Sequence, residues 1–244
     1  MSRVEVIGNA TLFLGDCRDV LPSLQKVELV CTDPPYLNLV GGASLPKGGV
    51  SGRRSTSVTI GDEWGANLEW APLAQTIASK GMMVFCSHQG ICQTREAFSD
   101  LKAIALVTWF KRNSPAAMKG VPRHVAEFIW VMITGGGLEW NKIQTVIDVP
   151  NLNAGCVSTG ERLTNPDGSV IHKAQKPVAL MSALLAVNPA SVCDPFMGTG
   201  TTGVAAVQMH RPFVGIERDP AYFDIACKRI EDAQRQGSLF GEAA

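Results

Sequence analysis

Asp33-Pro-Pro-Tyr36 places a carboxylate, a proline-fixed carbonyl and an aromatic face within four residues. The apolar run Val27–Thr32 ahead of it predicts a strand delivering Asp33 at its carboxyl end, where open α/β sheets bind ligands. Two prolines hold the backbone extended and remove the N–H at Pro35, so the Pro34 carbonyl stays aimed in one direction. Two acceptors beside a flat ring suit the exocyclic amino group of a base. Such a nitrogen is a poor nucleophile, because its lone pair is delocalised into the ring. Acceptors on both hydrogens would favour a pyramidal nitrogen with a localised lone pair, ready for in-line attack. The carboxylate has to be ionised, so its contribution is electrostatic and positional rather than strong general-base work. Taken alone, the tetrapeptide also fits a Pro-Pro turn capped by an aspartate.

A second constellation, Asp194-Pro-Phe-Met-Gly-Thr-Gly-Thr-Thr202, could cradle a nucleotide-like cofactor. The predicted strand Ser191–Cys193 runs into Asp194, Pro195 and Phe196. Gly198 and Gly200 then let the backbone pass close to a ligand, and a helix starting near Thr201 turns its free N–H groups inward. The strand Pro212–Glu217 ends in an acid placed to accept from ribose hydroxyls, although Glu217 also suits an N-cap partner for the helix from Pro220. With Gly203 the spacing is formally that of NAD and FAD sites. That fingerprint normally opens its domain, whereas this one comes near the chain's end.

The elements that must position these groups alternate along the chain. Val27–Thr32, Met82–Cys86, Ala103–Trp109, Phe128–Ile133, Ser191–Cys193 and Pro212–Glu217 read as buried strands. Leu68–Lys80 reads as a helix stopped at Gly81, and Pro177–Val187, Thr201–Met209 and Pro220–Gln236 as further helices. Continuous apolar strands alternating with helices predict a mostly parallel sheet covered on both faces. Leu37–Gly61 is rich in Gly, Ser and Thr, and at that length a functional loop or disorder is expected. Gly135–Ile171 lacks periodicity and reads as an insertion off the main sheet.

The 244 residues suffice for one α/β domain with an insertion. Net charge is zero, so nothing global announces nucleic acid. The distribution says more: Lys47, Arg53 and Arg54 form one acid-free basic stretch. Lys102, Lys111, Arg112, Lys119 and Arg123 form another. Both suit a phosphate-tracking face, or merely a solvated basic surface. The seven cysteines have no C-x-x-C pair or zinc spacing, so no metal is expected, and Cys31, Cys86 and Cys193 fit a core. No signal-peptide core or membrane-length apolar run is visible, and a reduced cytoplasm is the expected compartment.

The two motifs, in this order, resemble the DNA amino-methyltransferases, which methylate adenine N6 or cytosine N4 using S-adenosylmethionine. The resemblance covers nearly the whole chain. Placing the catalytic tetrapeptide ahead of the Phe-x-Gly-x-Gly loop is the order of the family's circularly permuted beta group. It implies a Rossmann-like α/β methyltransferase fold, a seven-stranded, mostly parallel sheet with one antiparallel strand and helices on both faces. Residues 1–134 and 172–236 would form the catalytic domain, 135–171 a small target-recognition insertion, and 237–244 a tail.

Leu12-Phe-Leu-Gly-Asp16-Cys17 is similar to the segment whose Asp approaches the cofactor's adenine. His172-Lys-Ala-Gln-Lys176-Pro177 resembles the Lys-Pro motif flanking its methionine end. By the resemblance Asp33, Pro34, Pro35 and Tyr36 are catalytic. Asp16, Cys17, Lys176, Pro177, Asp194, Pro195, Phe196, Gly198, Thr199, Gly200, Thr201, Thr202, Glu217 and Arg218 hold the cofactor. Lys47, Arg53, Arg54, Lys111, Arg112, Lys119 and Arg123 contact DNA.

The implied partner is duplex DNA, bacterial or phage, with the target base flipped out and stacked on Tyr36 under the 37–61 loop. Adenine is favoured, since cytosine-N4 members more often carry Ser in place of Asp33. A cytosine-C5 enzyme is disfavoured because no Pro-Cys dipeptide supplies its nucleophile, and a silent DNA-binding relative by the intact Asp33 and glycine loop. A cognate restriction nuclease and a homodimer are compatible with this reading. Gln236-Gly-Ser-Leu-Phe240 resembles a sliding-clamp docking pentapeptide, or an apolar tail folding back on its own helix.

Overall fold

A computed structural model describes residues 3–36, 68–114, 123–152, 161–172 and 174–241. Their strands are β1 (Val4–Ile7), β2 (Ala10–Leu14), β3 (Val27–Thr32), β4 (Ala78–Cys86), β5 (Lys102–Phe110), β6 (Ala126–Ile133), β7 (Val146–Asp148), β8 (Val192–Asp194) and β9 (Phe213–Glu217). The helices are α1 (Cys17–Val20), α2 (Trp70–Ile77), α3 (Ile91–Ala97), α4 (Val178–Leu185), α5 (Thr201–Gln208) and α6 (Pro220–Gly241).

They build one nine-stranded sheet in the order β1-β2-β9-β8-β3-β4-β6-β5-β7. The stretch from β2 to β5 is the expected seven-stranded sheet, with β6 its single antiparallel member. The count of seven is corrected at both edges. β1 adds by an antiparallel hairpin to β2, and β7 adds parallel to β5. β7 comes from Gly135–Ile171, so part of that segment belongs to the sheet rather than standing off it.

The strands bury both faces because side chains alternate across the pleat. Leu29 and Cys31 of β3, with Met83 and Phe85 of β4, face α4, α5 and α6; Val30, Met82 and Val84 face α1 and α2. Cys31, Cys86 and Cys193 are core residues, as expected. Trp70, Trp109, Phe85, Phe98, Phe213 and Phe223 are almost wholly buried. Each contributes on the order of 2–3 kcal/mol of apolar burial.

The helix expected over Leu68–Lys80 is shorter than its pattern. It ends at Ile77, and Ala78 pairs with Val27 as β4 begins. Ser79 donates to the Val27 carbonyl over 2.8 Å, and Lys80 pairs with Glu28, so sheet pairing overrides helical periodicity. Gly81 is therefore a strand residue, not a cap. A Cβ there would lie 2.5 Å from the Trp140 ring, so its smallness admits that ring. At the other end α6 runs on to Gly241. Residues 237–241 of the expected tail are thus helical in backbone, and so is the clamp-like pentapeptide. Among the described residues no helix is long and apolar enough to cross a membrane.

Candidate active site

The carboxyl ends of β2, β9, β8, β3, β4 and β5 share one edge of the sheet, and the antiparallel β6 brings its first residues to the same edge. Asp16, Glu217, Asp194, Asp33 and Lys111 follow or end the parallel strands, and Glu127 begins β6. Residues far apart in sequence therefore converge there.

The glycine loop joins β8 to α5. Asp194 braces it, accepting from Thr32 Oγ1 at 2.7 Å, Thr202 Oγ1 at 2.5 Å and the Phe196 N–H at 3.0 Å. Burial pushes its carboxyl up to about 6, against those three donors. Gly198 and Gly200 have positive φ, 52° and 82°, conformations that favour glycine. A Cβ on Gly200 would come 2.9 Å from the Cβ of Ala226 in α6. Arg229 donates to the Thr199 carbonyl over 2.6 Å and reaches Thr201 Oγ1 at 3.3 Å. Phe196 stands edge-on to Trp70, and Pro195 is buried beside it.

Across the loop, Glu217 is 7% exposed at the end of β9, and its carbonyl accepts from Gly15 N–H at 2.9 Å. Asp16 caps α1 and pairs with Arg18 at 2.7 Å, while Arg218 lies 3.9 Å away. The residues expected to hold the cofactor thus lie together along this edge, with differences of detail. Cys17 turns its thiol into the core, where burial raises it to about 12, so only its backbone faces the edge. Asp194 and Thr202 are spent on each other, and act on any ligand through the loop they hold.

Lys176, expected beside the cofactor's methionine end, reaches the carboxylate of Asp33 and lies 3.2 Å from Glu127 Oε2. Pro177, next to it, is the N-cap residue of α4. Glu127 also accepts from the Tyr36 hydroxyl at 2.7 Å and from Lys111 Nζ at 2.9 Å. Asp33 Oδ1 is buried and makes no hydrogen bond among the described residues. The Tyr36 hydroxyl donates to Glu127 and, lying close to Asp33, also favours its ionised form. Burial raises the Asp33 carboxyl, against the pull of Lys176. Burial opposes ionisation of Glu127 too, but Lys176 and Lys111 outweigh it and hold it down to about 2.

Lys111 was expected on a DNA-facing surface; it is buried, with its ammonium turned to Glu127. The apolar environment of β5 draws the stem in, and Glu127 neutralises the charge. Arg112 is exposed and pairs with Asp148 at 2.8 Å. Arg123 donates to the carbonyls of Arg112 and Ser114, closing the end of the basic loop. Lys47, Arg53, Arg54 and Lys119, and the 37–61 loop, lie outside the described residues.

Residues 27–228 match the N6/N4 family model described as DNA methylase. The chain belongs to this DNA methylase family. It is therefore an S-adenosylmethionine-dependent DNA amino-methyltransferase, of a family acting on adenine N6 or cytosine N4. Over 91% of its length it is 39% identical to the type II methyltransferase M.HinfI of Haemophilus influenzae, covering 68% of that protein. It is 22% identical to M2.MboI of Moraxella bovis over 92% of this chain and 88% of that one. The fold is similar to that of M1.HpyAVI in complex with SAM, with a TM-score of 0.64 at 24% identity, covering 90% of this chain and 99% of that one. It is also similar to the cytosine-N4-specific PvuII methyltransferase, with a TM-score of 0.62 at 14% identity, covering 95% and 93%.

Sequence reasoning about this amino-methyltransferase did not bring Glu127 or Lys111 to Asp33. Glu127 received no reading of its own, and Lys111 was counted among the DNA-facing cations. A lone acid opening the apolar strand Ala126–Ile133 was the available signal for Glu127. His172 was also passed over as an individual. It packs edge-on to Tyr222, its ring lies 3.6 Å from where a Gly198 Cβ would stand, and its buried Nδ1 has no partner among the described residues.

Proposed function

We propose that this amino-methyltransferase methylates the N6 amino group of adenine flipped out of duplex DNA, at a specific sequence. The observation that carries the reading is Asp33: one carboxylate oxygen is held by Lys176 while the other is buried without a partner. An unpaired buried acceptor is costly, so Oδ1 is poised for a donor that the described residues do not supply. A base amino group is such a donor, and the Pro34 carbonyl would take its second hydrogen.

The cradle fits S-adenosylmethionine on this chain's own geometry. Gly198 and Gly200 keep the loop free of side chains, and Glu217 offers a buried carboxylate to ribose hydroxyls. When bound, the cofactor supplies an electrophilic methyl group on a sulfonium. Phe196, the loop backbone, Asp16 and Glu217 would orient it, with Arg218 and Pro177 at the margins. Asp33 and Pro34 hold the amino nitrogen with its lone pair localised, and Tyr36 stacks the base. In-line attack would form the nitrogen–methyl bond as the methyl–sulfonium bond breaks, leaving the cofactor as a neutral thioether, and the nitrogen's proton would then pass to solvent.

Adenine is preferred because position 33 carries Asp, where cytosine-N4 enzymes more often carry Ser. Two relatives are type II methyltransferases, which supports a site-specific enzyme of a restriction–modification pair. The 135–171 segment would read bases, and Arg112, Arg123 and Lys119 would hold phosphates. The test is transfer of labelled methyl to unmodified duplex DNA, with nucleoside analysis and Asp33→Ala alongside. N6-methyladenine absent in the variant is the expected result. N4-methylcytosine would replace the base, and no label in any DNA would overturn the reading.

A further inference from the structure

Behind the free oxygen of Asp33 lies a closed charge cluster drawn from four parts of the chain. Lys176 comes from the segment before α4, Glu127 from β6, Lys111 from the end of β5, and Asp33 with Tyr36 from beyond β3. Two carboxylates face two ammonium groups, so the cluster is neutral when all four are ionised. Lys176 sits between the carboxylates, touching Asp33 and lying 3.2 Å from Glu127. Its side chain is 9% exposed, and its ammonium lies over the rings of Tyr36 and Phe85, at 5.6 and 5.3 Å. Glu127 receives three donors on its two oxygens.

We propose that Lys176 and Glu127 are positioning residues for methyl transfer: Lys176 keeps Asp33 ionised with Oδ1 turned to the base, and Glu127 aims Lys176 and Tyr36. This rests on the methyl-transfer reading above. A buried carboxylate needs a fixed counter-charge to stay ionised, and a lysine with four carbons of freedom needs a second anchor to hold one position. Glu127 is that anchor. Because Tyr36 shares it, the acceptor for the amino group and the ring that stacks the base are set by one carboxylate.

The groups facing Asp33 act on its ionisation with opposite signs. Burial raises it, Lys176 lowers it, Glu127 raises it, and the nearby Tyr36 hydroxyl, whose bond runs to Glu127, lowers it slightly. Asp194, across β3, is itself acidic, and the thiols of Cys31 and Cys86 are raised by burial and stay neutral. Removing Lys176 must therefore move Asp33 up, and removing the Glu127 charge must move it down. A role limited to packing would not produce opposite shifts.

The experiment measures kcat/KM for methyl transfer against pH in the full chain, for wild type, Lys176→Gln, Lys176→Arg and Glu127→Gln. In the same proteins the Asp33 carboxyl is titrated by carbon-13 NMR, assigned with Asp33→Asn. Lys176→Gln is expected to raise the acid limb by about one pH unit or more, and Glu127→Gln to lower it. Plateau kcat should fall about 10–100-fold in both, with cofactor KM nearly unchanged. Lys176→Arg should restore the wild-type limb.

Shifts in the same direction, or none, overturn the inference. If Lys176→Gln does not fold, the isosteric Glu127→Gln decides alone, because a limb that fails to fall refutes it. NMR shifts of the stated signs without any methyl transfer would leave the charge arrangement standing and defeat the functional reading instead.

Discussion

The Tyr36 hydroxyl donates to Glu127 over 2.7 Å, tying the end of the tetrapeptide to the start of a strand 91 residues away. Tyr36→Phe removes that bond but keeps the ring, and Glu127 retains both lysines. A cost of about 1 kcal/mol and transfer within about tenfold of wild type are expected. Tyr36→Ala also removes the stacking surface, about 1–3 kcal/mol per base, and should lower kcat/KM for DNA a further 10–100-fold. Steady-state kinetics of the two variants separate the effects, and equal losses would exclude stacking on the ring.

Asp33→Asn retains shape and one acceptor, but it faces Lys176 with a neutral group. Turnover should fall by about 100-fold or more while S-adenosylmethionine affinity stays within about threefold, since the cradle is built from other strands. Titration calorimetry beside single-turnover kinetics checks this, and a parallel loss of cofactor binding would place Asp33 in the cradle.

Gly200→Ala forces a side chain into φ 82° with its Cβ 2.9 Å from that of Ala226. A loss of about 1–3 kcal/mol in stability is expected, with weakened cofactor binding as the loop shifts off α6. Gly136→Ala, where a Cβ meets nothing within 4 Å, should stay within about 0.5 kcal/mol. Thermal melts with and without cofactor read both.

His172 is held neutral, its pKa lowered to about 4 by burial first and by Lys176 and Arg229 next. Its ordinary value is 6.5, so between the two the unfolded chain binds the extra proton and the folded one does not. Stability from this group is full above pH 6.5 and is lost as pH falls toward 4, about 3 kcal/mol at most. Urea titrations across that window should show a steeper acid loss in wild type than in His172→Asn.

Much of the fold was legible because periodicity and strand-end chemistry are local. Val27–Thr32 is a strand over the residues its apolar run marks, and Thr201 opens α5 directly after the glycine turn. β1 was missed because an edge strand buries too little to show a continuous apolar run; its Val6 is 71% exposed. β7, three residues long, depends on pairing with β5. Lys80 shows the opposite failure: its helical pattern was real, but pairing of β4 with β3 outweighed it.

The sequence by itself determined the family, through Asp33-Pro-Pro-Tyr36, a glycine loop at 194–202 and an acid closing the next strand at Glu217. These signals lie within short motifs whose backbone needs are local. Only the tertiary structure decided what stands behind Asp33. The reversed direction of β6 carries Glu127 to the edge where the parallel strands end, and burial there makes each charge require a partner. Lys111 and Lys176, which sequence alone assigned to phosphate and cofactor, are consequently drawn inward to the carboxylates.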